Sequence, residues 1–415
     1  MGEFKIVCLG VMTLDYLSRL DSFPIVNTKM KTKNVETMGG GNAANVVYGL
    51  AKMMNSEELS KPHQTITIEL ISKIGNDAVG QVIMKEFTAL KTESKNVNIE
   101  LNQVMMKDGV ASSFSYIIIT PASNSEGYNR TIINTPMSED FQFEEIASTL
   151  NADNVDLLFM DGRHSQVGLE YFKMKNIQLI IMECERMRLG KELKSFIGLI
   201  TKSNVLFLSD NFALDYLEWL LQNTAMDEQK EWIEKALKEG YDKKLIAMHI
   251  AFSQLSKPLS KNIPNFINTT LGSKGSIIMM RFNDICHQSD LDVPNVETFK
   301  QCIPSLPISQ NAIPTTSLQC TTLNGVKYLL IYCQSYNNNE KNIEDTTGAG
   351  DSFHVSLIYS LRYLLTNPER IAEPGDLEKC LKFASMASFE TCTATGARHV
   401  LTSDQATKLW PVLVV

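Results

Sequence analysis

Short apolar runs separated by longer amphipathic stretches constrain this chain more than any other feature. Phe4–Leu9 is rich in strand formers and closes at Gly10, and Ile66, Ile68 and Leu70 alternate with polar residues. Leu157–Met160, Leu179–Met182, Val205–Leu208, Ile277–Met280 and Tyr328–Cys333 are further runs of the same kind. Buried strands this short, each followed by turn residues and then helix-like sequence, predict a mostly parallel sheet covered by helices on both faces. Two regions break the rhythm. Thr28–Met38 is polar and extended in character. Phe114, Tyr116 and Ile118 alternate, Ala122–Asn129 is turn-rich, and Thr131–Ile133 is apolar again, which reads as a hairpin. Such antiparallel strands form either a small lid over a ligand cleft or a hairpin decorating a sheet edge. Residues 53–64, 222–261 and 283–323 read as insertions. The last holds Pro294, Pro304, Pro307 and Pro314 among polar residues and is expected to be an irregular surface excursion.

A net charge of -8 argues against a nucleic-acid binder, which needs a basic footprint. It leaves room for a phosphate ligand, because backbone N–H groups and a metal bind phosphate locally. None of the eight cysteines stands in a C-x-x-C pair, so neither a zinc site nor a redox motif is signalled, and Cys8 and Cys333 read as core thiols. No apolar run is long enough to cross a bilayer and the first residues carry no apolar signal region, so no membrane partner is expected and the cytoplasm is the expected location.

The strongest chemical signal is Asp345-Thr346-Thr347-Gly348-Ala349-Gly350-Asp351-Ser352-Phe353. After it, Phe353, Leu357, Leu361 and Leu364 mark one helical face, so the glycines fall at a helix N-terminus. There the first N–H groups lack intrahelical partners and the dipole is positive, which suits a phosphate or a developing oxyanion. A carboxylate beside an anion site is repelled by the anion unless it serves the chemistry. Asp351 is therefore either a general base for an attacking hydroxyl or a favourable acid in the first turn. His354 follows Asp351 by three, and its ring is expected to point away in a structural role.

A second signal is Gly39-Gly40-Gly41-Asn42-Ala43-Ala44-Asn45, after which Ala43, Val46, Val47, Leu50 and Met54 trace a helical face. Asn42 and Asn45 share a face and offer donors and acceptors for neutral hydroxyls, or one of them caps the helix. The segment is neither G-x-G-x-x-G nor a Walker A motif, which removes support for dinucleotide and P-loop readings. Thr270-Leu271-Gly272-Ser273-Lys274-Gly275 precedes a strand and is a third glycine loop able to pass near a nucleotide.

Together these segments resemble the ribokinase family, the PfkB carbohydrate kinases. D-T-T-G-A-G-D-S-F looks like that family's C-terminal signature, G-G-N-A-A-N like its N-terminal one, and L-G-S-K-G like its nucleotide loop. Asp15 matches its substrate-binding Asp. The likeness is greatest to ketohexokinase-like members, through G-G-N-x-x-N, the lid sequence Arg130-Thr131-Ile132, and a strand ending in Glu183 and Glu185. The resemblance implies one domain over residues 1–415, a three-layer α/β/α sandwich with a mostly parallel sheet and a β lid drawn from about residues 16–40 and 110–135. It implies ATP with Mg²⁺, often helped by K⁺, and a homodimer through the lid. Asp351 becomes the base, with the N–H groups of Gly348, Ala349 and Gly350 around the transferring phosphoryl group. Asp15, Gly41, Asn42, Asn45 and Arg130 become substrate ligands, with Gly40-Gly41 as the lid hinge. Gly272, Ser273, Gly275, Thr347, Gly348 and Gly350 become nucleotide contacts. The implied acceptor is a small sugar; the alternative is a nucleoside, with Tyr16, Phe114 and Tyr116 available to stack a base. A non-catalytic binding relative would be marked by loss of Asp351 or the glycines, and both are present. The chain departs from the family's N-x-x-E magnesium motif, having Ser209-Asp210-Asn211-Phe212 there. That leaves the metal ligands unassigned, with Asp210 or Asn211 as substitutes.

Overall fold

The computed structural model describes residues 2–32, 34–55, 64–121, 128–150, 154–223, 227–238, 240, 242–258, 264–281, 314–323, 326–337, 343–365, 374–398 and 400–409. Residues 56–63, 122–127 and 283–313, and with them most of two expected insertions and the hairpin turn, lie outside that set. The chain divides into two compact units. One comprises Met1–Ile177, Asn339–Tyr359 and Met386–Val415, and the other Gln178–Asn338 and Ser360–Ser385.

In the first unit, β1 (Gly2–Leu9) pairs in parallel with β4 (Gln64–Gly75) and with β9 (Val155–Met160). β5 (Val97–Glu100) and β6 (Val104–Lys107) both extend β4 in parallel. Ile6, Val7 and Cys8 are fully buried although successive side chains point to opposite faces, as expected of a strand covered on both sides. The cover includes α1 (Asn42–Met54), α2 (Ala78–Glu93) and α3 (Ser165–Met174). Ala43, Val46, Val47, Leu50 and Met54 are all buried, as their spacing predicts.

The same unit carries a separate four-stranded sheet in the order β3-β2-β7-β8, from β2 (Thr13–Arg19), β3 (Asn34–Gly40), β7 (Phe114–Pro121) and β8 (Tyr128–Thr135). β7 and β8 are the predicted hairpin, with Phe114 opposite Thr135 and Pro121 opposite Tyr128.

In the second unit β10 (Ile177–Cys184), β11 (Val205–Ser209) and β12 (Phe266–Thr270) run parallel. β13 (Ser276–Arg281), β15 (Val326–Cys333) and β14 (Thr316–Leu323) then continue antiparallel. β12 escapes pattern reading because its sequence is short and half polar, yet Asn268 and Thr269 are fully buried. The end of the proline-bearing stretch is not irregular: Thr316–Leu323 is a strand paired along its length with β15. Helices α4 (Leu193–Lys202), α5 (Asp210–Asn223), α6 (Asp227–Lys238) and α7 (Lys243–Leu255) complete this part, the last two within residues 222–261. The chain closes with α8 (Ala349–Leu365), α9 (Pro374–Cys392) and α10 (Ser403–Leu409).

Cys8, Cys184, Cys333, Cys380 and Cys392 are free and buried. Burial pushes the Cys333 thiol up to about 12, so core packing explains it without reactivity. Among the described residues no helix is long and apolar enough to cross a membrane.

Candidate active site

The candidate site is built where α1 and α8 begin. Phe353, Leu357, Leu361 and Leu364 are buried along α8, so the predicted face holds. Before it, Asp345 is buried and its carboxylate accepts from the backbone N–H of Thr347 (2.9 Å), the Thr347 hydroxyl (2.8 Å) and the backbone N–H of Gly396 (2.9 Å). These bonds fold residues 345–348 into a turn that delivers Gly348 with φ 78°. A Cβ there would lie 2.5 Å from the Ala397 Cα, so position 348 excludes a side chain on two counts. Gly350 lies exposed in the first turn, and a Cβ there would meet nothing. Space beside a helix N-terminus is what an anion requires.

The three glycines before α1 are fixed by their neighbours. A Cβ at Gly39 would lie 2.0 Å from Glu86 Oε2, and one at Gly40 2.2 Å from Asp15 Oδ2. One at Gly41 would lie 2.3 Å from the Val11 carbonyl oxygen. Gly41 is the residue that precedes α1, at φ 90° with no side-chain cap, so neither Asn42 nor Asn45 caps the helix. The Val11 carbonyl accepts from the Ala44 N–H (3.4 Å), while the Val11 N–H donates to Asp161 Oδ2 (2.7 Å). Asp161, buried at the end of β9, thus anchors the loop against which α1 begins.

Asn45 and Asp351 meet. Asn45 Nδ2 donates to Asp351 Oδ2 at 2.6 Å. The approach is set one turn further along each helix, where a Cβ on Gly49 would lie 2.7 Å from Val355 Cγ2. His354 does not turn away as expected: one of its ring nitrogens lies within 4.8 Å of an Asp351 carboxylate oxygen. Residues three apart share a helix face, and that spacing prevails over any tendency of the ring to splay.

Asp15 stands on β2, level with Met38 on β3 and Ser115 on β7. Burial raises its carboxyl above the usual carboxylate range, opposed by hydrogen bonding from Ser115 and Thr13 and by the charges of Arg398 and Arg130. Leu17, Ile117 and Ile119 share Asp15's face by strand alternation and form a buried cluster with Met38 packed against it. Tyr16, Phe114 and Tyr116 also cluster, with ring centroids 5.4–6.1 Å apart, but on the opposite face. The aromatic set offered for base stacking is therefore not beside Asp15. Arg130, exposed on β8, donates to the Thr346 carbonyl (3.2 Å), and Arg19 Nη2 donates to Thr395 Oγ1 (2.6 Å). These bonds tie the small sheet to the turn before α8 and to the loop after α9.

In the second unit, Leu271–Gly275 is a hairpin turn between antiparallel β12 and β13. The Leu271 N–H donates to the Gly275 carbonyl (2.8 Å), and Gly275 sits at φ 104° against the Cys333 carbonyl. Gly272 is open, with nothing near its Cβ position, and the Ser273 carbonyl accepts from the Ser335 hydroxyl (2.7 Å). Asp210 accepts from Lys244 Nζ at 2.6 Å in a partly exposed ion pair.

Two residues that the sequence did not announce complete the site. Arg398 donates from Nε and Nη2 to Glu86 (3.2 Å each) and from Nη1 to Asn45 Oδ1 (2.8 Å). Its guanidinium also lies 4.8 Å from the Tyr48 ring centroid and 5.3 Å from that of Phe87. Neither Glu86 nor Arg398 belongs to a motif.

This arrangement, a mostly parallel helix-covered sheet with a small separate β sheet, is the ribokinase-like fold. The chain is similar over 98% of its length and 99% of theirs to a ribokinase from Cryptococcus neoformans var. grubii in complex with ADP (15% identity, TM-score 0.58). It is likewise similar to a nucleoside kinase from Methanocaldococcus jannaschii (17% identity, TM-score 0.53, 98% of each chain). A third match is an uncharacterised sugar kinase from Pyrococcus horikoshii in complex with ATP (15% identity, TM-score 0.52, 97% and 99% of the two chains). No family model and no curated protein matches the sequence.

Proposed function

We propose that this chain is an ATP-dependent small-molecule kinase in which Asp351 takes the proton from the acceptor hydroxyl as it attacks the γ-phosphate. The observation that carries the reading is Asp351's place in the first turn of α8, directly after the Gly348–Gly350 opening, with Asn45 donating to its carboxylate at 2.6 Å. In this reading the N–H groups of Gly348 and Gly350 serve the charge that develops on the transferring group, while that of Ala349 donates to the Thr346 carbonyl (3.3 Å) and helps shape the turn. Asp15, the Gly41 backbone, Asn42, Asn45 and Arg130 hold the acceptor, and Gly40-Gly41 serves as the hinge of the small sheet as it excludes water. Gly272, Ser273 and Gly275 serve the nucleotide. Thr347, its hydroxyl committed to Asp345, serves by shaping the phosphate turn. Mg²⁺ enters with the nucleotide, as Mg·ATP. A homodimer through the small sheet belongs to the same reading, with solution mass as its check.

The acceptor proposed is a ketose- or pentose-type sugar. Asp15, Asn42 and Arg130 are polar groups that a ring of hydroxyls satisfies, and the Tyr16 cluster lies on the opposite face of the small sheet from Asp15. One observation favours a nucleoside instead: the Leu17, Ile117, Ile119 and Met38 patch lies on Asp15's own face.

Asp351→Asn is nearly isosteric and removes the carboxylate's basicity together with its charge. It is expected to lower kcat by about 10²–10⁴-fold while nucleotide affinity holds. A variant retaining more than about half of wild-type kcat would remove Asp351 from the role. The same assay, run over fructose, ribose, adenosine and pseudouridine, ranks acceptors. A nucleoside ahead by about tenfold, ~1.4 kcal/mol in transition-state binding, replaces the sugar reading.

A further inference from the structure

We propose that Glu86, Arg398 and Asn45 form a positioning arm that sets the orientation of Asp351; the inference rests on Asp351 being the base. The arm runs from α2 through the loop before α10 to α1 and ends at α8. Its order of charge is acid, base, amide, acid.

The chemistry fixes each link. Arg398 has only donors, so the Asn45 atom it meets at 2.8 Å is the amide oxygen. With that oxygen occupied, the amide can present only its NH₂ to Asp351, whose ionised carboxylate only accepts. A flipped Asn45 would set oxygen against carboxylate at one end and NH₂ against guanidinium at the other. Arg398 therefore selects the amide orientation that Asp351 requires. Glu86 fixes Arg398 in turn by receiving two of its N–H groups, a fork that a lysine does not reproduce. Tyr48 and Phe87 flank the guanidinium, and the Arg398 side chain is only 9% exposed. Gly39 supplies an independent sign that the pair is built in. A Cβ there would lie 2.0 Å from Glu86 Oε2 and 2.5 Å from Arg398 Nη2, so the backbone runs directly beneath the pair.

The reading separates positioning from binding. A residue that only holds the acceptor raises its KM when removed. A residue that aims the base lowers kcat, because a misplacement of about 1 Å costs on the order of 10²-fold. Arg398→Ala is expected to lower kcat about a hundredfold with KM for ATP unchanged. Arg398→Lys is expected to recover little of it. Added methylguanidinium should raise kcat of Arg398→Ala, and methylammonium should not. In an Asp351→Asn background, Arg398→Ala should cost no further kcat, since the group through which it acts is gone. If Arg398→Ala does not fold, Asn45→Ala removes the last link and is expected to lose kcat in the same proportion.

The outcomes distinguish the two readings. If wild type transfers no phosphate to any acceptor, or Asp351→Asn keeps full kcat, the base assignment fails and the arm with it. If Asp351→Asn is inactive while folded Arg398→Ala or Asn45→Ala turns over at wild-type kcat, the arm alone is overturned. An equal further loss in the Asp351→Asn background likewise overturns it.

Discussion

At the scale of single residues, the site holds an acid that the fold pays to bury. Asp15 is nearly enclosed, and burial outweighs its hydroxyl partners and the nearby arginine charges, so its carboxyl stands above the usual range. The native state then binds a proton more readily than the unfolded chain does. The stability this group contributes is present below the unfolded value and is lost as pH rises through the native one. Asp15→Asn should therefore melt above wild type near neutrality, with the gap closing as pH falls toward about 4. A difference in Tm that does not change over that range would show that the carboxylate is not strained. Acceptor KM should rise in the same variant, separating what the residue does for binding from what it costs in stability. The residue scale is also where sequence reading met its limit. Asp351, Asn45 and Asp15 stand in recognisable surroundings, whereas Arg398 lies 312 positions from Glu86 and 353 from Asn45. Nothing local in A-T-G-A-R marks that arginine as a site residue, and only the folded chain brings it there.

At the scale of elements, two helices are set by one missing side chain. Gly49 admits Val355, and one turn earlier on each helix Asn45 meets Asp351. Gly49→Ala would place a methyl 2.7 Å from a β-branched carbon with little freedom to move. Overpacking of this kind costs about 1–3 kcal/mol, and the displaced helices should also lower kcat. Val355→Ala in the same chain should restore most of both. Chemical denaturation and kcat, measured on the two single variants and the double, check it. If Gly49→Ala is neutral, the crossing does not set the Asn45–Asp351 distance. Elements with a clear apolar pattern were legible in the sequence: α1, β7 and α8 follow their apolar spacing and β1 its apolar run, whereas β8 is exposed along its length and was read from the turn-rich stretch before it. β12 was not legible, because the polar Asn268 and Thr269 are buried by strands on either side of them that the local sequence does not display. β14 was hidden by prolines upstream of it.

At the scale of the whole molecule, alternation of short strands and helices was enough to imply the layered fold, since a sheet buried on both faces has few other solutions. The division into two compact units was not legible, because short apolar strands occur throughout both. Nucleotide binding is a property testable on the whole chain. A ligand at about a hundred times its Kd stabilises a native state by about 2.7 kcal/mol, so Mg·ATP should raise the melting temperature. ATP with excess EDTA should do so less, and replacing K⁺ by Na⁺ tests the monovalent ion. An unchanged Tm at millimolar Mg·ATP would argue against the kinase reading.

The glycine corner at 39–41 has a consequence for how acceptor choice can be altered. An ion pair, a carboxylate and a carbonyl already fill the space at these three positions. A library randomised over those codons should return almost nothing but the parent sequence. The exposed side chains of β8, Arg130 and Asn134 among them, face no such filter. Directed evolution toward a new acceptor therefore has its open ground on that edge strand, and the glycine corner is where a search would stall.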